Sequence, residues 1–311
     1  MSSRAEISNH ITAIKSLTDT FDRLIDTYRK TISDWESTSE NNILHFPGAY
    51  WKLVAYVDAL VKLRIFIQEN FAYIETLSLL AHTRYVFELS IWLKLLSLDE
   101  DYGLIYHYML LRDNKRMYED LKNHLEHEAK TLAELGAEER SRIEEATKRL
   151  APEGLVAQLK GEILEIERDT DDRARLSLCL YADDSRLHGL EYQAHLVRAR
   201  AIPDAESNAN SCAEMIEAFK AYWSLHLDRK FGKKWDSWSW KDRARQAEML
   251  PEYEFVYSYT SRLLHAVPAS LTTNQKRLED YEALLFLRYI HAKINWFLGE
   301  ASRFLSRGGL H

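Results

Sequence analysis

Apolar residues at Ile7, Ile11, Ile14, Leu17, Phe21, Leu24, Ile25 and Tyr28 recur close to a 3.6-residue period, which predicts one long amphipathic helix over about 4–37. A polar stretch from Ser37 to Asn42 leads through Pro47-Gly48 into a second helix, expected from about 49 to 68. Over about 71–98 the apolar positions, among them Leu77, Leu80, Tyr85, Phe87, Leu89, Trp92, Leu93 and Leu96, point nearly all round the axis. That pattern belongs to a helix enclosed by others, so this segment is the expected centre of the fold.

The middle of the chain is more polar. Tyr102 to Leu135 and Ala137 to Arg149 read as two helices, making a projecting hairpin or an outer layer with a charged, solvated face. Pro152 suits the first turn of a further helix that fades at Asp169-Thr170-Asp171-Asp172, with short helices expected over about 173–182 and 185–200. Pro203 and the run Ser207 to Asn210 mark a loop, and Ser211-Cys212-Ala213-Glu214 has the capping-box arrangement that starts a helix.

Strand-like alternation is confined to an aromatic-rich segment, about 229–242, where Trp238 and Trp240 would share one face of an extended chain and Trp235 the other. Helices near 241–249, 252–267 and 274–305 close the chain. The expected architecture is all-α: one domain over 1–311, a single large bundle of long antiparallel helices with a polar helical excursion over about 100–200.

Composition agrees with this. Ten glycines and five prolines in 311 residues are few beside the usual roughly 7% and 5%, so turns are scarce and helices long. Forty-one basic against 48 acidic side chains leave a net charge of −7 in mixed-sign pairs, which does not suit a general DNA-binding protein. Cys179 and Cys212, the only cysteines, form no zinc or redox spacing. The N-terminus has no signal-peptide pattern, and Glu75, His82, Arg84, Glu88 and Lys94 interrupt the most apolar stretch, so a cytoplasmic protein without a membrane span is expected.

Four groups of residues carry candidate chemistry. Tyr257, Ser261 and His265, at i, i+4 and i+8, line one helix face; His265 could act as an acid or base, or the stripe could be ordinary helix packing. Arg84 and Glu88, four apart on the central helix, read as an internal ion pair that could also hold His265 or a phosphate. His124, His127 and Glu128 crowd one turn, but no second ExxH supplies the remaining ligands of a metal site, and a solvated face is expected. Lys233, Lys234, Trp235, Trp238 and Trp240, with Arg262 elsewhere, could contact single-stranded nucleic acid or a partner, or the tryptophans could anchor their segment on the core. No Walker loop, GxGxxG or GxSxG motif occurs, and neither metal nor cofactor is expected.

The stretch Ala81-His82-Thr83-Arg84-Tyr85-Val86-Phe87-Glu88, with Tyr257-Ser258-Tyr259-Thr260-Ser261-Arg262-Leu263-Leu264-His265 far downstream, resembles a family of uncharacterised bacterial helical proteins similar in style to the HEPN superfamily. The resemblance implies a helical bundle that often dimerises and, in many members, cuts RNA in toxin and phage-defence systems without a metal. HEPN ribonucleases usually leave four to six residues between an Arg and a following His, whereas Arg262 and His265 have two between them, and only Arg4 and His10 fit that spacing. Two functions follow as expectations. One is a HEPN-like defence or toxin-module protein whose Arg84, Glu88, Tyr257, Ser261 and His265 act on or bind RNA; the other is a catalytically silent module that binds another protein or its own copy.

Overall fold

The computed structural model describes residues 3–38, 43–69, 76–152, 154–264 and 278–306, and among them all regular structure is helical. The helices are α1 (Ser3–Lys15), α2 (Thr18–Thr38), α3 (Gly48–Glu69), α4 (Thr76–Leu98), α5 (Tyr102–Leu150), α6 (Val156–Leu176), α7 (Ala182–His188), α8 (Leu190–Leu196), α9 (Ile202–Phe231), α10 (Trp240–Gln246), α11 (Leu250–Leu264) and α12 (Asp280–Ser306). Short 3₁₀ turns occupy Ile43–His45 and Trp235–Ser237, and a π turn, Val197–Ala201, joins α8 to α9. No helix among the described residues is long and apolar enough to cross a membrane.

Contacts group the chain into two compact units, 1–109 with 219–311 and 110–218, where the sequence suggests one domain with a polar excursion. In the first unit α4 packs against α3, α10, α11 and α12, as its all-round apolar pattern predicts. Tyr28 stacks on Tyr56, and Tyr56 on Phe297, at ring separations of 5.8 and 5.9 Å; the buried Tyr28 hydroxyl donates to the Ala301 carbonyl. The first turns of α3 and α5 cross closely enough that a Cβ on Gly103 would collide with the Gly48 carbonyl. Beyond that crossing Trp51 and His107 lie face to face, 3.4 Å between ring centres and 12° from parallel.

The second unit is built on aliphatic residues, mostly leucine and alanine. Leu132, Leu135, Ala174, Ala182, Leu190 and Ala194 form one buried seam, and Leu125, Ala129, Val197 and Ala205 another. Ion pairs such as Arg173–Glu138 and Lys122–Glu206 span its surface, where water screens them and leaves the apolar seams as the main source of cohesion.

Several boundaries differ from the sequence reading. The expected first helix is two, because the Ser16 and Thr18 hydroxyls donate to the Ala13 and Lys15 carbonyls and tighten the chain there. The expected hairpin over 102–149 is one helix, α5; Gly136 does not break it but admits α8, since a Cβ there would lie 2.6 Å from the Glu191 side chain. α6 runs through the acidic run at 169–172, where Asp169 pairs with Arg142 and Arg173. Pro152 precedes α6 rather than opening it, and Ser207 to Asn210 lie inside α9, with Pro203 tolerated in its first turn after the π turn. The capping box observed is Ser239 with Asp242, at the start of α10.

The Trp51–His107 stack has a measurable consequence. Both rings are buried, and no protein atom among the described residues hydrogen-bonds to either His107 nitrogen or to the Trp51 indole nitrogen. Burial lowers the His107 pKa from 6.5 to about 4, so between those values the unfolded chain holds a proton that the folded chain excludes. Stability is therefore expected to fall as pH drops through that window. The loss attributable to His107 is about 3 kcal/mol, an order of magnitude from 1.36 kcal/mol per pKa unit. Urea unfolding at several pH values should find His107→Phe at least as stable as wild type at pH 7 and clearly less sensitive to acid; an unchanged pH slope would remove His107 as the cause.

Candidate functional site

α4 and α11 pack against each other in the first unit, and this brings residues 170 and more positions apart in the chain into one polar cluster. Arg84 donates from Nε to Glu88 Oε1 at 2.9 Å and from Nη1 to Ser261 Oγ at 3.4 Å. Its guanidinium carbon lies 4.4 Å from the centre of the Tyr257 ring, which stacks in turn on Tyr253 at 4.8 Å. Burial works against the arginine's charge, but the bond to Glu88 and the field of its carboxylate outweigh it, and the guanidinium is held protonated.

The Arg84 and Glu88 side chains keep 25% and 23% exposure, so the pair is neither sealed in the core nor fully solvated. The i, i+4 spacing on each helix produces this arrangement: 84 and 88 on α4 face 253, 257 and 261 on α11. Tyr259, on the neighbouring face, instead donates its hydroxyl to Glu282 of α12 at 2.9 Å, and burial, reinforced by that bond and the carboxylate's charge, raises its pKa to about 12. His265 and the Arg262 side chain lie outside the described residues, as does the expected contact between Arg84 and His265. Chemically, the cluster offers an oriented cation, a hydroxyl and an aromatic face. That set can position a phosphate or carboxylate, with Glu88 as a competing anion.

The aromatic segment is not the extended, alternating strip that its sequence suggests. Trp235 sits in a 3₁₀ turn and is buried, its indole N–H donating to Asp228 at 3.0 Å and its ring edge-on to Tyr108 at 4.8 Å. Trp238 lies against Tyr102 and Phe231, and Trp240 lies under the guanidinium of Arg243, which also covers Trp92. The three rings are engaged by the protein's own side chains, Trp235 buried and Trp238 and Trp240 half-buried, while Lys233, Lys234 and Lys241 stand exposed beside them. For a large ring such as Trp235, burial against other aromatics is worth more than exposure as a stacking platform.

The expected solvated face at His124, His127 and Glu128 also needs correction. Glu128 is buried, and its Oε1 accepts the Tyr181 backbone N–H at 2.8 Å, while His124 Nε2 bonds the Leu178 carbonyl at 3.0 Å. Together they pin the link between α6 and α7 onto α5; His127 is exposed. Among the described residues no three His, Cys, Asp or Glu side chains are grouped to hold a metal ion. Glu128 shares a stripe with Leu121, Leu125 and Leu132, and that spacing was the signal of its burial.

If the tryptophans anchor the segment, Trp235→Ala should cost roughly 3–5 kcal/mol in chemical denaturation, whereas Lys233→Ala should change stability by less than about 0.5 kcal/mol. A Trp235→Ala protein as stable as wild type would contradict the anchoring. Compared with known proteins, the chain matches no family model, no curated sequence and no solved structure, so its chemistry has to be argued from this geometry.

Proposed function

We propose that the chain is a HEPN-like helical protein that recognises RNA through the Arg84 cluster, in a bacterial defence or toxin module of the kind the resemblance implies. The observation supporting this is a quarter-exposed guanidinium laid on the Tyr257 ring and tied at Nε to Glu88, next to the Ser261 hydroxyl. A guanidinium stays charged, and its planar fork fits phosphate oxygens better than an ammonium does. Glu88 offsets part of that charge, so affinity rests on orientation more than on charge. In the hydrolytic version His265, four residues after Ser261 in sequence, is the proton-transfer group, the imidazole being the side chain suited to that role near neutral pH, while Arg84 steadies phosphate charge, without a metal.

Anisotropy with a labelled single-stranded RNA at low salt, and a gel assay of the same RNA, test both versions. Arg84→Lys keeps the charge and loses the fork, and is expected to weaken binding about tenfold, or about 1.4 kcal/mol. Arg84→Met with Glu88→Leu should abolish it without leaving a lone half-buried carboxylate. His265→Ala should bind normally and cleave nothing. No binding by wild type removes the reading, and cleavage unchanged in His265→Ala removes catalysis alone.

A second reading is a catalytically silent module that pairs with its own copy, and in the second unit one observation favours it. Leu176, Leu178, Leu180 and Leu187 are 61–83% exposed, and Leu178 holds a left-handed φ of 56° that glycine adopts more cheaply. Arg175 and Arg186 nearby are matched by Asp183 and Asp171, so two copies would meet there without like-charge repulsion. Light scattering should find a dimer in wild type and a monomer in Leu178→Ser; a wild-type monomer at high micromolar concentration removes this reading.

A further inference from the structure

We propose that a cleft of the first unit, walled by Lys94 of α4, Trp296 of α12 and the corner between α10 and α11, binds a small aromatic molecule carrying one negative charge. The site is separate from the Arg84 cluster and stands whether or not that cluster binds RNA. The cleft holds about 410 Å³, within the roughly 300–1,000 Å³ of small-molecule sites, and Met249, Glu252 and Lys293 complete its walls.

Two of its side chains lack work in the fold. Among the described residues no carboxylate pairs with the Lys94 ammonium, and no hydrogen bond or ring contact engages the Trp296 indole, although both are partly buried. Lys293 differs: its ammonium is 2.8 Å from Glu252, whose carboxylate also accepts the Tyr289 hydroxyl at 3.0 Å. The cleft thus presents an indole face for a flat ring, one uncommitted cation and a neutralised polar edge.

The corner that forms the third wall is locked in place. Met249 N–H returns to the Ala244 carbonyl at 2.8 Å and Glu248 N–H to Arg245 at 3.1 Å, closing α10 with Glu248 at a left-handed φ of 58° where helices usually use glycine. That wall of the cleft is therefore set by the protein's own backbone hydrogen bonds. The exposed Glu248 carboxylate also lines the cleft, so a polyphosphate would meet several times the repulsion that a monocarboxylate does.

Titration calorimetry of the full chain with indole-3-acetate tests the proposal, with indole, acetate and adenosine 5′-monophosphate as companion probes. Wild type should bind indole-3-acetate at least about tenfold more tightly than indole or acetate, and Lys94→Gln and Trp296→Leu should each lose about tenfold, whereas Lys94→Arg retains binding. Arg84→Lys should leave this affinity unchanged, which separates failure here from failure of the RNA reading. No saturable heat with indole-3-acetate at millimolar concentration, affinity that survives both Lys94→Gln and Trp296→Leu, or tighter binding of the monophosphate would each overturn it. If circular dichroism finds Trp296→Leu unfolded, the comparison of Lys94→Gln with Lys94→Arg decides alone.

Discussion

α4 packs against α3, α10, α11 and α12, and a polar group buried on it has to find a partner on its own helix or on one of these neighbours. Thr83 and Ser90, both buried, return their hydroxyls to the carbonyls four residues back, at Leu79 and Val86. Arg84 cannot be satisfied that way, because a guanidinium carries five donors and a charge. It takes Glu88 on its own helix and Tyr257 and Ser261 on α11, and so turns a burial problem into an oriented polar surface at the edge of the core. The position of α11 thereby matters twice, once for packing and once for the chemistry that its 253–257–261 stripe presents.

The same constraint is met differently where α3 and α5 cross. Where Gly48 and Gly103 let α3 and α5 approach, aromatic contact takes the place of hydrogen bonding: Trp51 covers His107, Phe219 meets its edge, and the imidazole stays neutral. Arg243 is a third solution, a buried cation between Trp92 and Trp240. Aromatic rings are abundant in this unit and serve as partners for cations and imidazoles as well as apolar filler. In the second unit, where buried seams are mostly alanine and leucine, backbone groups are captured instead: Glu128 and His124 hold Tyr181 N–H and the Leu178 carbonyl, and the leucines of that link are left outward.

The fold class, the enclosed nature of α4 and the existence of α3, α10, α11 and α12 are properties of periodicity, because a stripe or its absence is written into local spacing. So are the two halves of the polar cluster, since 84 with 88 and 257 with 261 each share a helix face wherever their helices are placed. Helix ends were less legible. Gly136 and Ser207 to Asn210 look like breakers in sequence, but a single continuous hydrogen-bond ladder and a close neighbour at Glu191 outweigh their weak intrinsic preferences.

By itself, then, the sequence determined an all-helical chain, its central helix and two candidate polar stripes, because each depends on residues within a few turns of one another. Only the tertiary structure decided that the stripes on α4 and α11 meet, that Glu128 and Trp235 are buried while Trp238 and Trp240 lie against the protein's own side chains, and that Lys94 and Trp296 share a cleft with the α10–α11 corner. Those outcomes depend on which helices become neighbours, and that is settled by the summed packing of many side chains across long sequence separations, which local spacing does not record.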